Sequence, residues 1–371
     1  MQLRMVLAAA AVAALAGCTA GSTTTTPEPS PTTTRVPSAE LAARAAHSAT
    51  SLPDGRVLIA GGCVTDGCSE ATARTALVSA AGTNAVEGPS MAAPRTNHTA
   101  TALPDGRIVI VGGFLGENAG VTGSAESIGP DAESFARLPD LLQPRGGHVA
   151  ALLPGGRILI VGGWIAPQRS SASAEILDPG TGTIGPAESL PWAADALGAA
   201  VLADGRVLVT GGQVEPGVAS SEAAVFDPST GRWTPTSPMS EPRMKHAVVA
   251  LADGRALVIG GTPDDAALLA STELYDPVSG RFERGPELQE PRYKLPDGAL
   301  LLPDGRVLVA AGGRTVEVID VSAETSEVIE ETDRRAAFAS VTLLRSGDAL
   351  VVGGYDDRIR LVGRATVVGL P

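Results

Sequence analysis

The stretch LPDGRVLIAGG at Leu52–Gly62 decides the fold, because close copies of it recur along the chain. Each copy ends on a glycine pair. These pairs begin at residues 61, 112, 162, 211, 260, 312 and 353, so the steps between them are 51, 50, 49, 49, 52 and 41 residues. Self-similarity at a period of this size indicates one structural unit built repeatedly. The sequence therefore predicts seven copies of one unit.

Each unit contains the signals of four short strands. An Asp-Gly pair such as Asp54–Gly55 separates two apolar runs, and these residue types tolerate the backbone angles of a hairpin turn. The runs are rich in Val, Leu and Ile and are nearly continuous, which is typical of strands buried on both faces. A second turn lies in LYDPVSGRF at Leu274–Phe282, with equivalents in other units. The unit is therefore predicted to be all-β.

Units of about fifty residues with four strands and a glycine pair resemble kelch repeats, the blades of β-propellers. The resemblance covers about residues 38–371, and it implies an all-β, seven-bladed kelch-type β-propeller with four antiparallel strands per blade. Tyr275 and Trp233 lie where kelch repeats place aromatic residues, but blade one has Val78 and Ala85 there. Aromatic residues make up only 3% of the chain, so we expect aliphatic side chains to pack the blades.

The closure of the ring is open to two interpretations. Blade seven has room for four strands of its own, and we expect the chain to end on its own outer strand; the four segments are Ala337–Leu344, Ala349–Val352, Arg358–Val362 and Ala365–Val368. In the alternative, Arg35–Glu40 supplies the last strand of blade seven.

The N-terminus is predicted to be a targeting segment. Arg4 precedes the apolar run Met5–Leu15, which is too short to cross a membrane. The run leads into LAGC at Leu15–Cys18, which resembles the bacterial lipobox and implies cleavage before Cys18 and lipidation of its thiol. We therefore expect a lipoprotein signal peptide at 1–17, a lipidated cysteine with a disordered Thr/Pro-rich tether at 18–37, and the propeller at 38–371. The alternative is an ordinary secretory signal with a chance cysteine.

The two remaining cysteines, Cys63 and Cys68, lie in CVTDGC. Because an exported protein meets oxidising conditions, we predict that they form a disulfide.

The formal net charge of −13 argues against nucleic acid as a partner, because phosphate binding needs a basic field. The expected partner is instead a protein or glycan of the bacterial cell envelope. We expect a monomer that contacts the membrane through its lipid anchor only.

All four histidines occupy one slot of the repeat, three residues after an arginine, and begin the innermost strand; they are His47, His98, His148 and His246. A ring of imidazoles near the channel mouth would suit a metal. Repetition of a structural histidine explains the same pattern fully, so we expect no metal. Some kelch propellers are copper radical oxidases resembling galactose oxidase, which need two histidines, two tyrosines and a cysteine cross-linked to one of the tyrosines. The cysteines here are expected to pair with each other, so we assign no cofactor and no catalytic residue.

The arginine of each DGR turn starts the second strand, and the aspartate of each DP turn ends the third. Because these strands run antiparallel, their ends are neighbours. We predict four cross-strand ion pairs, Arg157–Asp178, Arg206–Asp227, Arg255–Asp276 and Arg306–Asp320. An anion-binding ring of arginines is the alternative.

The loops that differ between units predict where a ligand binds. The DG and DP turns share one face and are nearly identical, whereas the loops after the glycine pairs vary and share the other face. Aromatic residues and arginines most often anchor interfaces, and functional residues favour loops that a rigid scaffold holds in place. The ligand-binding candidates are Trp192, Arg243, Arg292 and Tyr293 first, then Arg95, Arg145, Trp164, Phe114 and Tyr355. For Phe114 and Trp164 the alternative is a plug between blades.

The favoured function is a cell-envelope-anchored binding module that docks a protein or glycan on this loop face. The main alternative is an extracytoplasmic enzyme on the same loops, either a galactose-oxidase-like oxidoreductase or a carbohydrate-active enzyme. A purely structural envelope component is the third hypothesis.

Overall fold

The computed structural model describes residues 39–117 and 119–370, and all regular elements in these ranges are β-strands. Twenty-eight of the strands form seven four-stranded antiparallel sheets, which confirms the predicted seven-bladed propeller. The predicted signal peptide, lipidated Cys18 and tether lie outside the described residues. In the part of the chain that is described, there is no apolar helix of the length that crosses a bilayer.

Each blade is numbered in chain order, and its strands are numbered from the central channel outward. The first three blades consist of Ser48–Ser51, Val57–Ala60, Thr75–Val78 and Ala85–Glu87; Thr99–Ala102, Ile108–Val111, Ala125–Ile128 and Phe135–Leu138; and Val149–Leu152, Ile158–Val161, Ala174–Asp178 and Thr183–Ala187. Blades four to six consist of Gly198–Val201, Val207–Thr210, Ala223–Asp227 and Arg232–Pro235; Ala247–Ala250, Ala256–Ile259, Thr272–Asp276 and Arg281–Arg284; and Ala299–Leu301, Val307–Val309, Thr315–Asp320 and Thr325–Glu331.

Blade seven corrects the prediction for ring closure. Its strands are Ser340–Leu343, Ala349–Val352, Arg364–Val368 and, from the N-terminus, Ala39–Glu40. Ala39 pairs with Ala365 and Glu40 with Arg364, so the chain does not end on its own outer strand. The predicted third strand at 358–362 is a loop, and the segment predicted as the fourth strand is part of the third. Pairing between the first and the last strand of the propeller therefore closes the ring.

The packing between blades is mainly aliphatic, as predicted, and Phe226 of blade four and Tyr275 of blade five are buried aromatic residues within the interblade clusters. The second strand of blade one, Val57–Ala60, is entirely buried, and so are its counterparts in blades two to five. Clusters of Val, Leu, Ile and Ala join each sheet to the next, and one of them unites Val57 and Ile59 of blade one with Leu350 and Val367 of blade seven. Removing these side chains from water is the main favourable contribution to folding.

The turn face corrects the predicted cross-strand ion pairs. Each DGR arginine binds the aspartate of its own turn where the turn has one; the pairs are Arg56–Asp54, Arg107–Asp105, Arg206–Asp204, Arg255–Asp253 and Arg306–Asp304, at 2.5–2.8 Å. The DP aspartates accept backbone N–H groups of their own turns instead, as Asp227 does from Ser229 at 2.8 Å. Where the turn has an aspartate, that partner two residues away is reached at smaller cost in side-chain order than one on the next strand. Arg157 has no aspartate in its own turn, and its charge still acts on the predicted partner Asp178 without an ion pair between them.

The loop face is uneven. Short two-stranded hairpins rise from blade three, at Trp164–Ala166 and Arg169–Ser170, and from blade four, at Gln213–Glu215 and Val218–Ala219. Blade six passes from Val309 to Thr315 without such a hairpin. The rim is therefore high on blades three and four and low on blade six.

Candidate functional site

All four of the predicted ligand-binding arginines lie inside the blades. Arg95, Arg145, Arg243 and Arg292 are all 0% exposed. Arg145 shows the arrangement that the others repeat. Its guanidinium donates to the carbonyl of Ser173 at 2.9 Å, contacts the carbonyl of Gly162, and pairs with Glu175 at 2.7 Å. A ligand on the loop face has no access to these groups, so we remove the four arginines from the candidate surface.

The glutamate partner of each arginine explains the burial. Glu175 also accepts the backbone N–H groups of Leu142 at 2.7 Å and of Gln143 at 3.1 Å, in the link that enters the blade. Glu126, Glu273 and Glu317 make equivalent bonds in their blades. Each arginine–glutamate pair therefore ties an interblade link to the second and third strands. Charges buried this deeply persist only when they are paired and hydrogen-bonded.

Trp192 takes the place of the missing arginine in blade four, where Ala194 fills the arginine slot. Its indole N–H donates to the carbonyl of Gly211 at 2.9 Å, the counterpart of the Gly162 carbonyl that Arg145 reaches. The ring also packs against the aliphatic cluster between blades three and four. Its polar atom is thus committed to the scaffold.

Phe114 and Trp164 stack side by side at the loop face. Their ring centroids are 5.5 Å apart with planes inclined by 48°, and both side chains are half-buried. The Phe114 ring also lies against Gly146, in the link that enters blade three. The pair fills a space between blades two and three, as a plug between blades would. Both rings also keep some surface exposed, as a ligand-binding role requires.

The four histidines lie at the channel wall and join neighbouring blades. The Nε2 of His98 bonds the hydroxyl of Ser48 at 3.0 Å, and that of His148 bonds Thr99 at 3.1 Å. His47 pairs with Ser340 in the same way, and His246 pairs with Thr210. Burial lowers the pKa of His47, His148 and His246 to about 3, so these rings are neutral at physiological pH. The hydroxyl bonds favour the structural interpretation of the repeated histidine.

A ring of seven residues encircles the channel where it opens on the loop face. Each blade contributes one residue with a positive φ between 46° and 61°, a few residues before its innermost strand. These residues are Ala46, Asn97, Gly147, Ala196, Lys245, Lys294 and Phe338. Backbone hydrogen bonds of 2.8–3.1 Å connect the ring residues of neighbouring blades. Between blades five and six the donor is the N–H of Leu295, which bonds the carbonyl of Lys245. We call this set the mouth ring. Six of its members hold side chains in the left-handed region that favours glycine, and they present those side chains around the opening.

An aromatic cluster stands on the low side of the mouth ring. The ammonium of Lys294 lies 4.6 Å from the ring centroid of Tyr293, 4.9 Å from that of Tyr355 and 5.7 Å from that of Phe338. Phe338 and Tyr355 contact each other edge to face at 5.9 Å. We call these four residues the mouth cluster. The arrangement combines a half-buried cation with the half-buried rings of Tyr293 and Phe338 and the buried ring of Tyr355, which is 7% exposed. Aromatic residues and cations of this kind are enriched at interfaces.

Sequence reasoning identified the two tyrosines of the mouth cluster and missed Lys294 and Phe338. A signal was present, because the only two lysines, Lys245 and Lys294, occupy the same repeat slot two residues after an arginine. In the structure both lie in the mouth ring, on adjacent blades. Lys245 forms an ion pair with Asp265.

A disulfide packs against two aromatic rings of the mouth cluster. Cys63 and Cys68 are bonded with their Cα atoms 5.0 Å apart, which confirms the predicted pair. Both cysteines pack with Tyr355 and Phe338 in one apolar cluster. The disulfide loop also crosses the closure seam, since Gly67 donates to the carbonyl of Ile359 in blade seven at 3.0 Å.

The mouth ring borders a cavity of about 350 Å³ in the channel, and six of its seven residues, all but Lys294, line that cavity. Its wall contains the four neutral histidines, small aliphatic residues, Phe114 and Phe338. Two carboxylates, Asp195 and Asp297, belong to the same wall. Asp195 is 8% exposed and accepts from Ser170 at 2.6 Å. Among the described residues, no group of three or more His, Cys, Asp or Glu is placed to hold a metal ion.

Comparison with known protein families supports the kelch resemblance in the middle of the chain. The kelch motif matches residues 145–183 and 196–240, which span blades three and four. No curated protein sequence matches the chain. The chain is therefore a seven-bladed β-propeller that contains kelch repeats.

Proposed function

We propose that this protein is an exported binding module, anchored by lipid on Cys18, that docks a protein ligand on the loop face around the mouth ring. Kelch propellers commonly serve as protein-interaction modules, but a fold alone does not fix a function. The observation that carries the proposal is the mouth cluster, in which Tyr293, Phe338 and Tyr355 surround an ammonium group on the low side of the rim.

The distribution of exposed apolar side chains supports the same face. Five of the eight exposed large hydrophobic residues among those described belong to loop-face segments; they are Val64, Leu142, Val214, Val218 and Ile359. A protein partner would remove such side chains from water, which is the main favourable term in association. The fixed hydrogen-bonded mouth ring also lowers the ordering cost of binding.

The polar rim around the cluster provides specificity. Lys294 offers a cation, and next to it Asp265 and Lys245 form a mutually neutralised pair. A partner with one carboxylate opposite Lys294, set among apolar contacts, would complement this surface. The overall charge of −13 favours a partner whose remaining surface is basic or neutral.

Capture from the native cell envelope tests the proposal. The soluble propeller from Ser38 onward is used as bait beside two variants, Lys294→Ala in the mouth cluster and Arg206→Ala on the turn face. We expect a protein that is retained by the wild type and by Arg206→Ala and lost with Lys294→Ala. Retention by all three baits, or capture of glycan instead of protein, would contradict the proposal.

The anchor is tested separately. Cys18→Ser should move the protein from the membrane fraction to the soluble fraction and abolish labelling by a fatty acid. Equal membrane retention of both forms would remove the lipid anchor from the proposal and leave the docking face untouched.

A further inference from the structure

The central cavity contains a carboxylate that the fold does not require. Blade six has ten residue steps from Arg292 to Leu302, whereas blade five has eight from Arg243 to Leu251, so blade six carries two additional residues before its inner strand. These additional residues fall at Pro296–Asp297, and both line the cavity. Asp297 is therefore an insertion directed at the channel and has no equivalent in the other blades.

We propose that this cavity is a binding site for an organic cation, an alkylammonium or alkylguanidinium group, with Asp297 as its counter-ion. The inference does not rest on the proposed docking role. The volume of about 350 Å³ suits a small ligand or the end of a long side chain. A cation enters through the mouth ring and lies against Phe114 and Phe338, whose ring faces attract positive charge.

The charges around the cavity favour a cationic occupant. The titratable groups of its wall are His47, His98, His148, His246, Asp195, Asp297 and Lys245, and Lys294 is the one mouth-ring residue that does not line it. The histidines are neutral, because burial lowers the pKa of His47, His148 and His246 to about 3 and that of His98 well below its ordinary value. Lys245 is paired with Asp265, and Lys294 keeps its charge but is not among the residues that line the cavity, its ammonium lying near three aromatic rings. The wall therefore carries the charge of its carboxylates.

Asp297 differs from Asp195 because no hydrogen bond or ion pair from another described residue reaches its carboxylate. The Asp297 side chain is exposed to the cavity, but the surrounding channel walls displace bulk water and raise its pKa to about 6. Asp195 has hydrogen bonds from Ser170 and Gln213 that oppose the effect of burial on its pKa. A carboxylate that lacks such bonds gains most from a ligand cation, since the ion pair replaces water at the charged group.

The proposal is tested by calorimetric titration of the full propeller with agmatine at pH 7.5. Butylurea, a neutral compound of similar shape, is the control ligand. We expect agmatine to bind, and butylurea and the Asp297→Asn variant with agmatine to show at least tenfold weaker binding. At pH 5 the wild type should bind agmatine about tenfold more weakly, because Asp297 is then mostly protonated. Melting of Asp297→Asn at or above the wild-type temperature shows that the variant is folded.

A short blocked peptide with a single arginine distinguishes the source of the cation. Binding of agmatine alone indicates a free small molecule, whereas binding of both indicates that the side chain of a partner also fits. Equal affinity for agmatine and butylurea, or equal agmatine affinity of wild type and Asp297→Asn, would overturn the inference. Neither result bears on capture of a protein by the mouth cluster.

Discussion

The two faces of this propeller use arginine in opposite ways. On the turn face Arg206 pairs with Asp204 two residues earlier, and the two side chains are 35% and 48% exposed. Beneath the loop face Arg145 pairs with Glu175 on another strand, and the side chains are 0% and 3% exposed. Exposed ion pairs contribute about 0–1 kcal/mol to stability, whereas breaking a buried pair costs about 3–5 kcal/mol. The surface residues of the loop face can vary because the buried arginine–glutamate pairs fix the interblade segments beneath them.

The largest effect is expected from breaking a buried pair. Arg145→Ala leaves Glu175 charged and buried, so it should lower the free energy of unfolding by about 3–5 kcal/mol. The matched substitution on the turn face, Arg206→Ala, should cost about 0–1 kcal/mol. Denaturant unfolding of the three proteins measures both values. Equal losses would show that the two classes of arginine do not differ as described.

Removal of the disulfide should have an intermediate effect. The double variant Cys63→Ser and Cys68→Ser should lose about 2 kcal/mol on the chain-entropy model, because the bridge restricts the unfolded loop. Since Gly67 contacts Ile359 across the closure seam, amide exchange should also quicken in both loops. The Arg206→Ala variant serves as the reference for a change far from the seam. Unchanged exchange at the blade-seven loop would separate the disulfide from the closure.

The smallest effect on stability, and one of opposite sign, is expected at Asp297. Its folded pKa of about 6 lies above the ordinary value, so the folded state binds more protons and stability falls as pH rises through that range. Asp297→Asn should therefore stabilise the protein above pH 6, by up to about 1 kcal/mol, since water in the cavity screens the charge. Below pH 4 the two proteins should melt alike. A variant that melts lower than wild type at pH 8 would contradict the assigned environment.

The repeat predicted most of the fold and little of the site, for physical reasons. Seven copies of one pattern define blades, turns and buried strands, because each copy must satisfy the same packing. Ring closure was predicted wrongly, since Ala39–Glu40 carries no strand signal of its own and gains its pairing only from Arg364 and Ala365.

The functional assignment of the buried arginines failed for a different reason. Arg145 and Glu175 are 30 residues apart, and sequence alone does not reveal that they meet. The mouth cluster likewise joins Tyr293 and Lys294 of blade six to Phe338 and Tyr355 of blade seven. Such contacts between units depend on how the blades are arranged around the channel.

Site-directed photo-crosslinking tests the central claim, that the loop face around the mouth cluster is the docking surface, most directly. A photoreactive phenylalanine replaces either Tyr293 in the mouth cluster or Val278, which is 94% exposed on the turn face. Each variant is irradiated in the native envelope, and adducts are identified by mass spectrometry. We predict a discrete protein adduct from position 293 and none from position 278. An adduct from position 278 alone would place the docking surface on the turn face and contradict the account.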